Sequence, residues 1–196
     1  MKTILTFVAS LLFITNAAFA QVKWSVDPAH TNARFEVKHL GIAFVDGSFN
    51  TLSGAAETSD SSNFNQAKIS FEIDVNSIDT RVDARDEHLK SDDFFNAAQY
   101  PKMTLTNGVL TKGKKGQFVL KGDLTIRDVT KPVEFQVTQN NGIITDPWGK
   151  TRAGFTATTT INRMDYNIKY NDKLPSGVQA VASDVKIIVN TELVKN

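Results

Sequence analysis

The sequence predicts an all-β domain, a sandwich or closed barrel of about eight antiparallel strands, interrupted by one short helical insertion. Two observations carry this expectation. Apolar residues recur with period two along most of the chain, and the breaks between the alternating runs hold Gly and Asn, which supply the positive φ that tight turns require. A third marks the exception: RVDARDEHLKSDDFFNAAQYP, residues 81–101, is densely charged and has helical spacing.

Taken in order, residues 1–20 read as a secretory leader. Lys2 supplies a positive start, residues 4–14 an apolar core, and Ala18-Phe19-Ala20 a small-x-small cleavage site, so the mature chain is expected to begin at Gln21 and to be periplasmic or secreted. The apolar run falls short of the roughly 20 residues that a membrane anchor needs. Alternation then begins with Trp24 and Val26, followed by Ala33, Phe35 and Val37, and by Ile69, Phe71, Ile73 and Val75. It resumes with Phe118 and Leu120, Leu124 and Ile126, Val133, Phe135 and Val137, and ends with Val185, Ile187 and Val189. Such runs are half-buried strands. DGS at 46–48, NG at 107–108, KGKKGQ at 112–117 and NNG at 140–142 have turn chemistry, the last two as hairpin connections. Between strands, Val82, Leu89 and Phe94 or Phe95 share a helical face, Asp83 is available as N-cap, and Pro101 stops the pattern. A helix near 84–90 and a further turn at 91–97 are expected to lie across one end or face of the sheet as a plug or lid. No linker composition or repeat divides residues 21–196, which form one domain.

Composition narrows the function. Without Lys2, the 22 basic residues become 21, balanced by 21 acidic ones; this argues against nucleic acid as partner, which requires a basic excess or stripe. There is no Cys, so the fold must hold by burial, and a domain of this size buries close to 70% of its unfolded surface. His30, His39 and His88 show no H-x-H or H-E-x-x-H spacing, and no metal site is expected. Hydrogen-bonded structural roles suit them, with His30 beside Thr31 locking a loop. WGKT at 148–151 lacks the first glycine of a phosphate loop, since position 144 is Ile, and reads as a hairpin. The absence of G-x-S-x-G removes the serine-hydrolase nucleophile, and no D-x-D-x-D-G run marks a calcium loop. Neither a catalytic residue nor a cofactor is expected.

Five ordered blocks carry a resemblance. WSVDPAHTNARFEVKHLG (24–41), GSFNTLSG (47–54), SIDTRVDARDEHLKSDDFFNAAQYPKMT (77–104), GDLTIRDVTKPVEF (122–135) and INRMDYNI (161–168) resemble the YceI-like polyisoprenoid-binding family over nearly the whole mature chain. The resemblance implies an extended, lipocalin-like antiparallel barrel, exported to the periplasm or secreted. It further implies that a long isoprenoid, a prenylated quinone or polyprenyl phosphate, lies along the barrel interior, and it brings no catalytic residues. Thr31 stands where the family usually has Ser, and Asp128 and Asn167 where Gly is common; Asp and Asn tolerate the left-handed backbone best among non-glycine residues.

An antiparallel barrel of about eight strands has room for side chains to fill it or for one slender ligand. The inward set mixes Phe35, Phe49, Phe71, Phe118 and Phe135 with Ala33, Thr156, Thr158 and Thr160, a mixture that leaves a groove or interdigitates into a solid core. Periodicity does not choose. If a ligand is held, the expected lumen lining is Phe35, Val37, Phe49, Phe71, Ile73, Phe118, Phe135 and Phe155. Arg81, Arg85 and His88 are then the head-group or gate candidates, since a guanidinium forks onto phosphate or donates to a quinone carbonyl. The competing role for Arg85 is an ion pair with Asp83 or Asp86 that fixes the lid, and Arg127 and Arg163 carry the same two roles. A tail of ~40 carbons, at about 0.8 kcal/mol per methylene, gains on the order of 30 kcal/mol on leaving water, beyond any known non-covalent affinity. The donor and acceptor must therefore be membranes, contacted transiently, and exchange is nearly balanced. A homodimer is compatible with the exposed ends of a barrel. The alternative is a periplasmic stress-response or interaction module with a packed barrel and no lipid.

Overall fold

The computed structural model describes residues 21–114 and 116–196; the leader expected over 1–20 lies outside the described residues. Strands β1 (Val22–Val26), β2 (Asn32–His39), β3 (Ala43–Phe49), β4 (Leu52–Thr58), β5 (Ala67–Asp74) and β6 (Ile78–Asp79) precede helix α1 (Asp83–Lys90). Strands β7 (Lys102–Lys112), β8 (Gln117–Ile126), β9 (Val129–Thr145), β10 (Thr151–Asn162) and β11 (Val181–Lys195) follow it. Eight of them, in the order β1-β4-β5-β7-β8-β9-β10-β11, close into an antiparallel barrel through β1–β11. The other three extend one wall.

Closure turns on β11. Its C-terminal end pairs with β1, Trp24 opposite Lys195 and Val26 opposite Leu193. The rest of the same edge pairs with β2, from Asn190 opposite Asn32 to Val181 opposite His39. β1 and β2 are thus one stave broken by the turn Pro28–His30. β3 pairs with β2 and, at Phe49, with Ile78 of β6, after which α1 crosses the end of the barrel.

Three expected turns prove to be other things, for one physical reason: Gly and Asn serve bulges and close contacts as well as hairpins. DGS lies inside β3. NG lies inside β7, where the register slips between Thr106 and Val109 with Asn107 at φ 52°. The slip flips the buried parity from Met103 and Leu105 to Leu110, and a Cβ on Gly108 would collide with the Ile69 carbonyl oxygen. NNG is likewise a bulge in β9, opposite the break between Ala153 and Gly154. The β9–β10 hairpin turns at 146–150 instead, the segment containing WGK. KGKKGQ does connect β7 to β8. The helix begins at Asp83, with Val82 rather than Asp83 at the N-cap position, and residues 91–97 form turns, not helix.

The end of the barrel away from α1 is plugged by aromatics. Phe64, from the β4–β5 loop, is fully buried, with its ring centroid 4.8 Å from both Trp24 and Phe155. Trp24 donates from Nε1 to Thr58 Oγ1 at 3.2 Å. Arg152 bolts the rim beside this plug, reaching Asp146 (2.6 Å), Asp27 (2.8 Å) and Glu192. Its hydrogen bonds, with those of the Trp148 and Lys150 backbone N–H groups, hold Asp146 below the usual carboxylate range although burial pushes the other way.

Replacing Phe64 by Ala is expected to cost about 3–5 kcal/mol, as large-to-small changes of a buried aromatic do, measurable as a lowered urea midpoint with unchanged slope. The rim network also sets a pH dependence. His30 first, and Arg152 second, hold the Asp27 carboxyl down to about 2. Its contribution to stability is therefore present above the ordinary value of 3.8 and lost as pH falls toward 2. Asp27 in turn raises His30 above 6.5, a contribution complete below 6.5 and lost as pH rises through the raised value. Thermal melts should show both slopes, and Asp27→Asn should remove them together.

Candidate functional site

Between the aromatic plug and α1 the barrel encloses an apolar cavity of about 210 Å³. Phe64 and Phe155 form its floor, and Leu89, Phe94 and Phe95 from the lid segment form its roof. The two sides of the interior differ. On β7, β8 and β9 the inward residues Leu105, Leu120, Leu124 and Phe135 are buried; on β2, β5 and β11 the lining residues Phe35, Phe71, Ile73 and Ile187 are only half-buried. The barrel is filled on one side and left open on the other.

Two glycines keep the open side open. Phe35 lies directly across from Gly47, and Phe71 across from Gly54. A Cβ on Gly47 would overlap the Phe35 ring and reach Thr80 Cγ2 at 2.8 Å; on Gly54 it would stand 2.7 Å from Phe71 Cδ2. Each ring lies flat on the neighbouring backbone because no side chain lifts it, a cross-strand aromatic–glycine pair.

Of the expected lining, Phe35, Val37, Phe49, Phe71, Ile73, Phe135 and Phe155 border the cavity. Phe118 does not: it is buried behind Phe155, with ring centroids 6.3 Å apart, and serves as packing. Thr156, Thr158 and Thr160 are corrected too. Phe155 and Ala157 face inward, so the even-numbered residues of β10 face out, and Thr156 Oγ1 bonds Asn190 at 3.0 Å beyond the lumen. The lid residues Leu89, Phe94 and Phe95 were expected to cap the end, but no strand pattern announced Phe64, which comes from a loop.

None of Arg81, Arg85 and His88 borders the cavity. Arg81 is exposed with φ 67°, its backbone N–H held by Asp79 Oδ1 at 2.8 Å. Arg85 pairs with neither Asp83 nor Asp86. Its Nε donates to Thr80 Oγ1 (2.8 Å) and its Nη2 to the Thr80 carbonyl (2.7 Å), while Asp86, buried, accepts from the Thr80 backbone N–H at 2.9 Å. A buried threonine has to be satisfied on every polar atom, and the helix supplies both partners. His88 faces Asp93 at 2.9 Å and stands edge-on to Phe94 and Tyr170. Arg127 is the strap that ties the lid down. Its Nη1 donates to the carbonyls of Phe94 (2.8 Å), Asp92 (3.0 Å) and Asn167 (3.0 Å), and its Nη2 to Asp92 Oδ1 (3.0 Å). The left-handed residue in its hairpin is Arg127 itself, at φ 54°, rather than Asp128; Asn167, at φ 60°, does take that conformation.

Of the arginines weighed from the sequence, Arg163 is the one that borders the cavity, as Arg34 also does. Arg163 follows β10, is 4% exposed, and donates to the carbonyls of Ala182, Ile168 and Val181, each at 2.9 Å. Burial pushes its guanidinium below the ordinary arginine range. Among the described residues one group of potential metal ligands, Asp27, His30 and Glu192, clusters elsewhere. The Arg152 guanidinium bonds both of its carboxylates and ties the group into an ion network.

Gly47→Ala or Gly54→Ala is expected to push Phe35 or Phe71 into the lumen, at an overpacking cost of about 1–3 kcal/mol. Calorimetry and uptake of a solvatochromic apolar dye would check this: dye uptake should fall in each variant, and unchanged uptake would show that the rings have somewhere else to go.

The comparisons with known proteins agree with this architecture. A UPF0312 protein of Yersinia enterocolitica is 34% identical over 196 residues, 99% of this chain and 97% of its own. Among solved structures, BcnA of Burkholderia cenocepacia superposes with a TM-score of 0.72 at 21% identity, over 85% of this chain and 98% of its own. A domain from Saccharophagus degradans described as polyisoprenoid binding superposes with a TM-score of 0.63 at 16% identity, over 88% and 98%. The model of the YceI-like domain matches residues 24–193, from the first barrel strand to the last, and the chain belongs to the YceI-like family.

Proposed function

We propose that this protein binds a long isoprenoid lipid in its barrel and carries or stores it between membranes, without catalysis. The cavity carries the proposal: its lining is almost wholly apolar, roofed by a helix and floored by an aromatic plug, which suits a hydrocarbon tail entering from the lid end. The polyisoprenoid-binding description of the Saccharophagus domain points the same way. A packed interaction module has no use for the space that Gly47 and Gly54 preserve.

At about 210 Å³ the cavity is smaller than the roughly 300–1,000 Å³ of ordinary ligand pockets. Loading a long tail must widen it, and the half-buried side on β2, β5 and β11 is where side chains have room to move. The leader at 1–20 would place the protein in the periplasm, between two bilayers. Membrane contact is assigned to the lid end of the barrel. There Ile42 (86% exposed) and Phe44 (58%) project at the β2–β3 turn. That turn is bonded through Leu40 N–H to the Ala180 carbonyl, in the loop that exposes Leu174 and Val178. Apolar tips of this kind enter the headgroup layer.

Protein produced with its leader intact should yield prenyl lipid in near-stoichiometric amount on solvent extraction, and lipid-free protein from every preparation would overturn the proposal. Ile42→Asn with Phe44→Ser should reduce lipid transfer between vesicles at least several-fold while leaving bound lipid in place. Trp148→Ser, on the exposed hairpin at the opposite end, should leave transfer unchanged.

A further inference from the structure

We infer that Phe64 is the stop that limits how long a prenyl tail the barrel accepts. This rests on the proposed lipid-binding function and adds to it the residue that sets tail length. Phe64 is the one buried side chain in the connection between β4 and β5: residues 59–63 before it and 65–66 after it are exposed. Its ring is fully buried, borders the cavity, and lies 4.8 Å, centroid to centroid, from both Trp24 and Phe155. Trp24 is also fully buried but does not border the cavity. The Phe64 ring therefore stands between the cavity and the closed end of the barrel.

A strand residue takes its place from the ladder, whereas Phe64 has to be held by its loop. Just after the ring the chain is fastened to β7: Gln66 N–H donates to the Leu110 carbonyl at 2.8 Å, and Lys112 N–H to Asn65 Oδ1 at 2.9 Å. Gln66 takes a left-handed φ of 63° there, a conformation that costs a residue other than glycine. The ring itself is wedged, inclined 48° to Trp24 and 72° to Phe155, arrangements that aromatic pairs favour. A tail tip that enters from the lid end meets this ring and goes no further. The half-buried wall on β2, β5 and β11 can yield sideways, but the floor does not lengthen. A tail longer than the path from the mouth to Phe64 must leave units outside the barrel, and each unit left in water forfeits what its burial would gain. Since the competing site is a bilayer, such a tail stays in the bilayer. The stop thereby converts cavity depth into a length preference.

Prenols that differ by one isoprene unit, offered in phosphatidylcholine vesicles, read the limit directly. After separation from the vesicles, the mature wild-type chain should carry prenols up to a limiting length, with occupancy falling about tenfold or more for each unit beyond it. Phe64→Ala should move that limit about one unit longer, because a phenyl ring and an isoprene unit are of similar size and a ring-sized apolar space accepts an apolar guest. Phe64→Leu, which keeps part of the bulk, should soften the fall at the first unit beyond the limit. Should neither variant fold, isotope-filtered NOEs on the wild-type protein serve instead: the terminal methyl groups of a prenol at the limiting length should contact the Phe64 ring. Wild-type occupancy with no fall at any length, an unchanged limit in Phe64→Ala, or terminal methyls that contact the lid residues and not Phe64 overturn the assignment and leave the lipid-binding proposal standing. Uptake of no prenol of any length overturns the lipid-binding proposal itself.

Discussion

The closure of the sheet along β11 is the constraint from which the rest follows. One strand, fifteen residues long, pairs on one edge with β10 and on the other with both β1 and β2. Once the ring is closed, every alternating strand has an inside and an outside, and backbone donors and acceptors in the ring have partners without an exposed edge. The apolar half of each strand then has one place to go. Without the break at Pro28–His30 the first stave could not serve both the closed end of the barrel and the β2–β3 extension that borders the cavity.

Closure alone would give a solid core, because eight-stranded barrels are narrow enough for side chains to fill. What prevents it here is the distribution of large residues. Trp24, Phe64, Phe118 and Phe155 collect at one end and saturate it. Phe35 and Phe71, which would otherwise meet the opposite wall, lie against Gly47 and Gly54. Packing is dense where β1 and the end of β11 close the ring and thin where a guest would lie. A barrel that holds space must accept lost dispersion contacts along that wall, a cost that a hydrocarbon guest would offset.

The lid joins this scaffold both by the apolar side chains of Leu89, Phe94, Phe95 and Ala97, which pack into the core, and by polar contacts at its two ends. Thr80, Arg85 and Asp86 satisfy one another at its start, and Arg127 gathers three carbonyls at its end. Such contacts are directional but individually modest in net energy, and they fix where the lid sits. Arg163 uses the same means, three carbonyls around one guanidinium, but in the barrel wall and against the cavity.

The amino-acid sequence by itself determined the strand class, the approximate strand number, the single insertion and most of the inward-facing residues, because period-two alternation is a local property that any closed or half-buried sheet must respect. It also showed α1 to within one residue. It did not determine where the turns lie. The NG of β7 and the NNG of β9 have the same backbone preferences in a bulge as in a hairpin, and only the partner strand decides between them. The β10 face was misjudged for a similar reason: Phe155 and Thr156 cannot both point inward, and closure of the ring selected Phe155. The roles of the arginines were least legible. Arg85, Arg127 and Arg163 look alike in sequence, and their functions depend on which carbonyls, carboxylates or empty space the tertiary fold brings within about 3 Å of a guanidinium.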